Sequence, residues 1–141
     1  MTRIDFHSNI SDKISYACRL VRKARSANCN IVLFVDDRED LVSLDEALWT
    51  FSESDFLPHV LANDPLAAQT PIILTHSDAI ALPHHHILIN LSCTPPANLD
   101  QFERMFEVIS SDIADKSAGR ERYSPYQQRG YTLTHFVAEN T

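Results

Sequence analysis

Glycine is nearly missing from this chain, with two in 141 residues, Gly119 and Gly130. A phosphate-cradling loop needs glycine where backbone must approach the phosphate closely. No Walker loop or GxGxxG turn can therefore exist before residue 119. Cysteine is sparse too. Cys18, Cys29 and Cys93 are odd in number and lack CxxC spacing, which fits free thiols in a reducing compartment better than a disulfide scaffold. No apolar run approaches the roughly 20 residues of a membrane span, and the N-terminus has no signal-peptide core, so the expected location is the cytoplasm. Basic surplus is missing as well. A formal net charge of −7 sets the whole-molecule field against a polyanion, and no direct nucleic-acid binding is expected. No serine stands in a GxSxG elbow and no HExxH is present. Nothing here requires catalysis.

What is present is an ordinary globular composition, 44% hydrophobic and 22% charged. The length suits one domain over residues 1–141 with a real core. Arg3 to His7 alternates as a short first strand would. Ser8, Asn9 and Ser11 offer caps for a helix to about Ser26, with Ile14, Ala17, Cys18 and Val21 as its apolar stripe. Arg19, Arg22, Lys23 and Arg25 favour the C-terminal half, where cations suit the helix dipole. They read as a solvated face.

Asn30–Val35, Pro71–Thr75 and His86–Leu91 are continuous apolar runs, the mark of strands buried on both faces. Leu41–Trp49 has helical spacing. Asn98 or Asp100 is expected to cap a further helix carrying Phe102, Met105, Phe106, Val108 and Ile109. The pattern resumes at Ile113 and runs toward Tyr123, with a break expected at Gly119. Tyr131–Val137 alternates as a last strand at an edge. Strands alternating with helices predict an α/β fold, a three-layer α/β/α sandwich around a mostly parallel central sheet.

Four groups of residues are candidates for chemistry or recognition. Asp36 and Asp37 follow a buried strand, where ligands bind in open α/β sheets and paired acids can hold Mg²⁺. Without a phosphate loop, the helix-cap reading is preferred. His84, His85 and His86 invite a metal, but consecutive strand residues point to opposite faces and three adjacent imidazoles cannot meet one ion. No metal and no cofactor are expected. Trp49, Phe51, Phe56, Leu57 and Pro58 crowd ten residues around the polar run Ser52–Asp55. Core packing and partner anchoring are both open for them. Last, spacings of four and three place Lys116, Arg120 and Tyr123 on one helix face, which Ile109 and Ile113 are expected to continue. Two cations beside an apolar groove closed by a tyrosine ring suit a peptide with a hydrophobic residue and a carboxylate. A solvated amphipathic helix is the plainer reading of the same spacing.

The ordered set LDEALW and FLPH (within Leu44–His59), ILINLS (Ile87–Ser92), RERY (Arg120–Tyr123) and GYTL (Gly130–Leu133) resembles the chi subunit family of bacterial DNA polymerase III. The resemblance covers nearly the whole chain. It implies a non-catalytic accessory protein of the clamp loader in DNA replication. It also implies a surface for the psi subunit carried by Trp49 and Phe56. A pocket for the acidic, Phe-ending tail of the single-stranded-DNA-binding protein is implied at Lys116, Arg120 and Tyr123, and helical spacing adds Ile109 beside it. The chain departs from the family pattern at Ser124 and Gln127, where further basic residues are expected, and Arg129 is a partial substitute. The rival reading is a small nucleotide- or metal-dependent α/β enzyme using Asp36 and Asp37.

Overall fold

The continuous apolar runs end where such a pattern belongs, at the centre of a sheet covered on both sides. The computed structural model describes residues 2–50, 57–77 and 82–138. Its elements, in chain order, are β1 (Arg3–Ile10), α1 (Lys13–Ser26), β2 (Ile31–Phe34), α2 (Arg38–Thr50), β3 (His59–Leu61), β4 (Ile72–Thr75), β5 (Ile87–Asn90), β6 (Arg104–Ser110), α3 (Ile113–Gln128) and β7 (Thr132–Val137). The seven strands form one sheet in the order β3-β4-β2-β5-β6-β1-β7. All are parallel. The expected α/β/α layering holds, with a sheet parallel throughout.

Strand pleating sorts side chains to two cores. On one face Ile31, Leu33, Ile72, Leu74, Ile87, Ile89, Phe106 and Val108 pack with Ala17, Cys18 and Val21 of α1 and Leu41, Leu44 and Leu48 of α2. On the other, Ile4, Phe6, Val32, Phe34, Ile73, Leu88, Met105 and Ile109 pack with Tyr126 of α3 and Tyr131. The cap of α1 is Asp12, whose side chain accepts from the N–H of Ser15, while Ser8 and Asn9 belong to β1. Asp37 Oδ1 accepts from the N–H of Asp40 at 2.9 Å, the N-cap role preferred for it.

Three elements differ from expectation. The segment carrying Met105, Phe106, Val108 and Ile109 is strand β6, not a helix, and a single 3₁₀ turn at Leu99–Gln101 precedes it. Apolar residues at those positions fit one helix face, but they equally fit a strand buried on both sides, and β6 lies between β5 and β1. Periodicity alone does not separate the two for a short run. Helix α3 does not break at Gly119; it continues through Gly119 and Pro125 to Gln128. Strand β3, three residues long, was too short to register as a pattern.

Two backbone features stand at opposite ends of the β1–β7 pair. Asn9 has φ 61° where the β1–β6 register slips between His7 and Ile10, a bulge of the kind asparagine tolerates. Gly130, at φ 84°, closes α3. Its N–H bonds Gln127 O and the N–H of Tyr131 bonds Tyr126 O, the paired C-terminal motif that favours glycine at this position.

Candidate functional site

Helix α3 turns an unusual stripe inward: Asp115, Gly119, Arg122 and Tyr126. None of the four is aliphatic, so polar contacts join the ring of Tyr126 in holding the helix to the sheet. Glu107, in the middle of β6, is fully buried. Its Oε2 accepts from Arg122 Nε at 2.6 Å and from the Tyr126 hydroxyl at 3.1 Å, and its Oε1 accepts from Asn90 Nδ2. Arg122 Nη1 also donates to Cys93 O at 2.8 Å. Burial opposes both charges: it pushes the Glu107 carboxyl up against the pull of Arg122, Asn90 and Tyr126, while Glu107 raises the Arg122 pKa, and the 2.6 Å contact is what pairs the two groups. Asp115 is tied in the same way. Burial pushes its carboxyl up, yet the N–H of Ser110 at 2.6 Å and Lys13 Nζ at 3.1 Å hold it below the usual carboxylate range.

One position further round the helix, about 100° away, stand Lys116, Arg120 and Tyr123. They line a cavity of about 640 Å³ together with Ile109 of β6, Phe6 and Asn9 of β1, and His135 and Val137 of β7. The Tyr123 ring lies 5.1 Å from the Phe6 ring, and Ser8 Oγ is 2.9 Å from His135 Nε2. The structure thus brings the four expected residues to one place, with a correction. Ile109 reaches the cavity from β6 rather than from the helix face, and Ile113 is 84% exposed at the start of α3. Phe6, Asn9 and His135 were not expected there. The β1 bulge that aims Asn9 leaves no mark in composition or spacing. Ser124 and Gln127 are exposed, and Arg129 lines a separate cavity with Glu121 and Pro125.

Trp49 is 51% exposed on α2, and Val42, seven residues earlier, is equally exposed. The Trp49 ring lies 4.3 Å from the imidazole of His59. His59 Nδ1 is 2.6 Å from Leu57 O and its Nε2 is 3.0 Å from Asp45 Oδ1. Leu41, Leu44 and Leu48 face inward as expected, while about half of Trp49 stands outside the core. Phe56 lies outside the described residues, as does Phe51.

Asp36 Oδ1 accepts from the N–H of Cys93, whereas Asp37 turns to its own helix. His84 contacts Thr70 O, His85 lies against Phe102, and His86 Nδ1 accepts from the N–H of Asn30. These imidazoles have separate surroundings. Among the described residues no group of three or more His, Cys, Asp or Glu is placed to hold a metal. Nor is any described helix long and apolar enough to cross a membrane.

The family model described as DNA polymerase III chi subunit, HolC, matches residues 1–134. The chain belongs to this family. Relatives agree along most of their length. The DNA polymerase III subunit chi of Pseudomonas aeruginosa is 31% identical over 137 residues, 94% of either chain. That of Haemophilus influenzae is 25% identical, covering 84% of this chain and 82% of its own. The Escherichia coli K12 subunit is 23% identical, covering 82% and 79%. The place of this chi-family chain is therefore DNA replication, in the DNA polymerase III complex.

The two arginines of the RER run face opposite ways, Arg122 buried and Arg120 exposed, and stability measurements separate them. Arg122→Ala leaves Glu107 buried and unpaired, and should cost about 3–5 kcal/mol in urea unfolding. Arg120→Ala removes an exposed side chain and should change stability by about 0.5 kcal/mol or less. Equal effects would mean that α3 is not anchored through Glu107.

Proposed function

We propose that the chain is a non-catalytic adaptor, acting as a single domain over residues 1–141 in the cytoplasm. In this reading it binds the psi subunit of the clamp loader through the Trp49 surface. It takes the C-terminal tail of the single-stranded-DNA-binding protein in the cavity of α3. Convergence of Lys116, Arg120, Tyr123 and Ile109 on one cavity is the observation that carries the reading. Phe6, Ile109 and Tyr123 offer apolar walls, while Arg120 and Lys116 offer two cations at the same opening. That combination suits a ring and a carboxylate on one residue, as at a peptide ending in Phe. The net charge of −7 fits a partner reached through protein rather than through nucleic acid.

Charge-assisted hydrogen bonds are roughly twice as strong as neutral ones, and burying one phenyl group contributes roughly 1.5–3 kcal/mol. Ordering a flexible tail offsets much of this, so affinity on the order of micromolar is expected. Calorimetric titration with an acidic peptide ending in Asp-Phe tests the site. Arg120→Ala should weaken binding more than Lys116→Ala, because only arginine grips a carboxylate with two parallel donors. Amidating the peptide's C-terminus should do comparable damage. Unchanged affinity in both the amidated peptide and Arg120→Ala would place the tail elsewhere.

The psi surface has its own test. Trp49→Ala should abolish capture of psi while leaving the unfolding midpoint near that of the wild type. A loss of roughly 3–5 kcal/mol, the usual cost of truncating a core aromatic, would show Trp49 to be structural.

A further inference from the structure

We propose that Gly119, acting through Ile109, sets the depth of the α3 cavity and makes it selective for an aromatic terminal residue. The inference rests on the reading of this cavity as a tail site and concerns which tails it accepts. Glycine weakens a helix interior relative to alanine, yet Gly119 is the seventh residue of a 16-residue helix. Its conformation does not require glycine; only Gly130 has positive φ among the glycines. The reason is steric. A Cβ on residue 119 would stand 2.5 Å from Ile109 Cδ1, 3.1 Å from its Cγ1 and 3.4 Å from its Cγ2.

The first distance is far inside van der Waals contact, and the atom it meets is the tip of a flexible side chain. The backbone of Ile109 is held within β6, so its side chain must move. Both residues line the same cavity, and that is where the displaced methyl has room to go. One added carbon would then fill the space twice, once with its own volume and once with Ile109 Cδ1. The wall opposite cannot compensate, because Phe6 is buried and braced by the rings of Tyr123 and Tyr126 at 5.1 and 6.0 Å. The next residue along the helix is Arg120. Floor and carboxylate grip are therefore set by adjacent positions, matching a ligand whose ring and carboxylate belong to one residue.

The test uses the full chain and acidic peptides identical except for a terminal Phe, Leu, Ala or Trp. One methylene in an apolar pocket changes binding by roughly 10–200-fold. Gly119→Ala should weaken the Phe peptide by at least about tenfold while leaving the Ala peptide nearly unchanged and the melting temperature equal or higher. Adding Ile109→Val, which deletes Cδ1, should restore most of the Phe affinity. Ile109→Val alone leaves Gly119 in place and should shift preference toward the Trp peptide, whatever the folding of the alanine variant. Wild-type affinity for Phe in Gly119→Ala, no recovery in the double variant, or no shift toward Trp would each overturn the selection role while the tail reading stands. Wild-type protein that binds the Phe peptide no better than its amide would overturn the tail reading, and this inference with it.

Discussion

The buried ion pair between Glu107 and Arg122 decides how the third helix lies on the sheet. A helix packed by aliphatic residues can rotate a few degrees and lose little, because dispersion contacts are non-directional. A guanidinium bound to one carboxylate in a dry interior cannot, since an unpaired buried charge costs several kcal/mol. Asn90 and Tyr126 satisfy the remaining valences of Glu107, and Asp115 pins the N-terminal turn through Ser110 and Lys13. With that face fixed inward, the positions one step round the helix are fixed too. Lys116, Arg120 and Tyr123 open onto the groove between α3 and strands β1 and β7, with Gly119 at its floor, because Asp115, Arg122 and Tyr126 are committed elsewhere.

The groove has a second origin in the end of the sheet. β7 is the last strand, and it is paired on one side to β1. Where β1 bulges at Asn9, its register slips against β6, and the Asn9 side chain bonds the carbonyl of Ala138 at the end of β7. Helix, bulge and edge strand leave room that a closely packed interior otherwise eliminates. The electrostatics are local. The chain as a whole repels an acidic peptide, and the two cations act at contact range, so screening by salt should affect encounter and grip in opposite directions.

Much of this was legible in residues 1–91. Ile31–Phe34, Ile72–Thr75 and Ile87–Asn90 read as buried strands because a parallel sheet covered on both faces leaves no polar alternation to blur them. The Arg104–Ser110 strand did not. Its apolar residues satisfy a helical period as well as a strand, and its central Glu107 argues against burial until Arg122 is seen beneath it. Helix α3 was legible by its outer residues alone, since its inward stripe contains no aliphatic side chain for periodicity to detect. Spacing correctly put Lys116, Arg120 and Tyr123 together. Ile109 was placed beside them on the assumption of a continuous helix, and it arrives from the neighbouring strand instead. His135 and Asn9, distant in sequence, could be joined to the cavity only by strand pairing.

Amide chemical shifts of isotopically labelled chain, followed during addition of an Asp-Phe-ending peptide, test the central claim most directly. The account predicts the largest changes at Ile109, Lys116, Gly119, Arg120 and Tyr123 and on the facing residues Asn9 and His135, with α2 and the Asp36–Asp40 segment unmoved. Changes centred on Trp49 or on Asp36 and Asp40, with the α3 cavity silent, would contradict it.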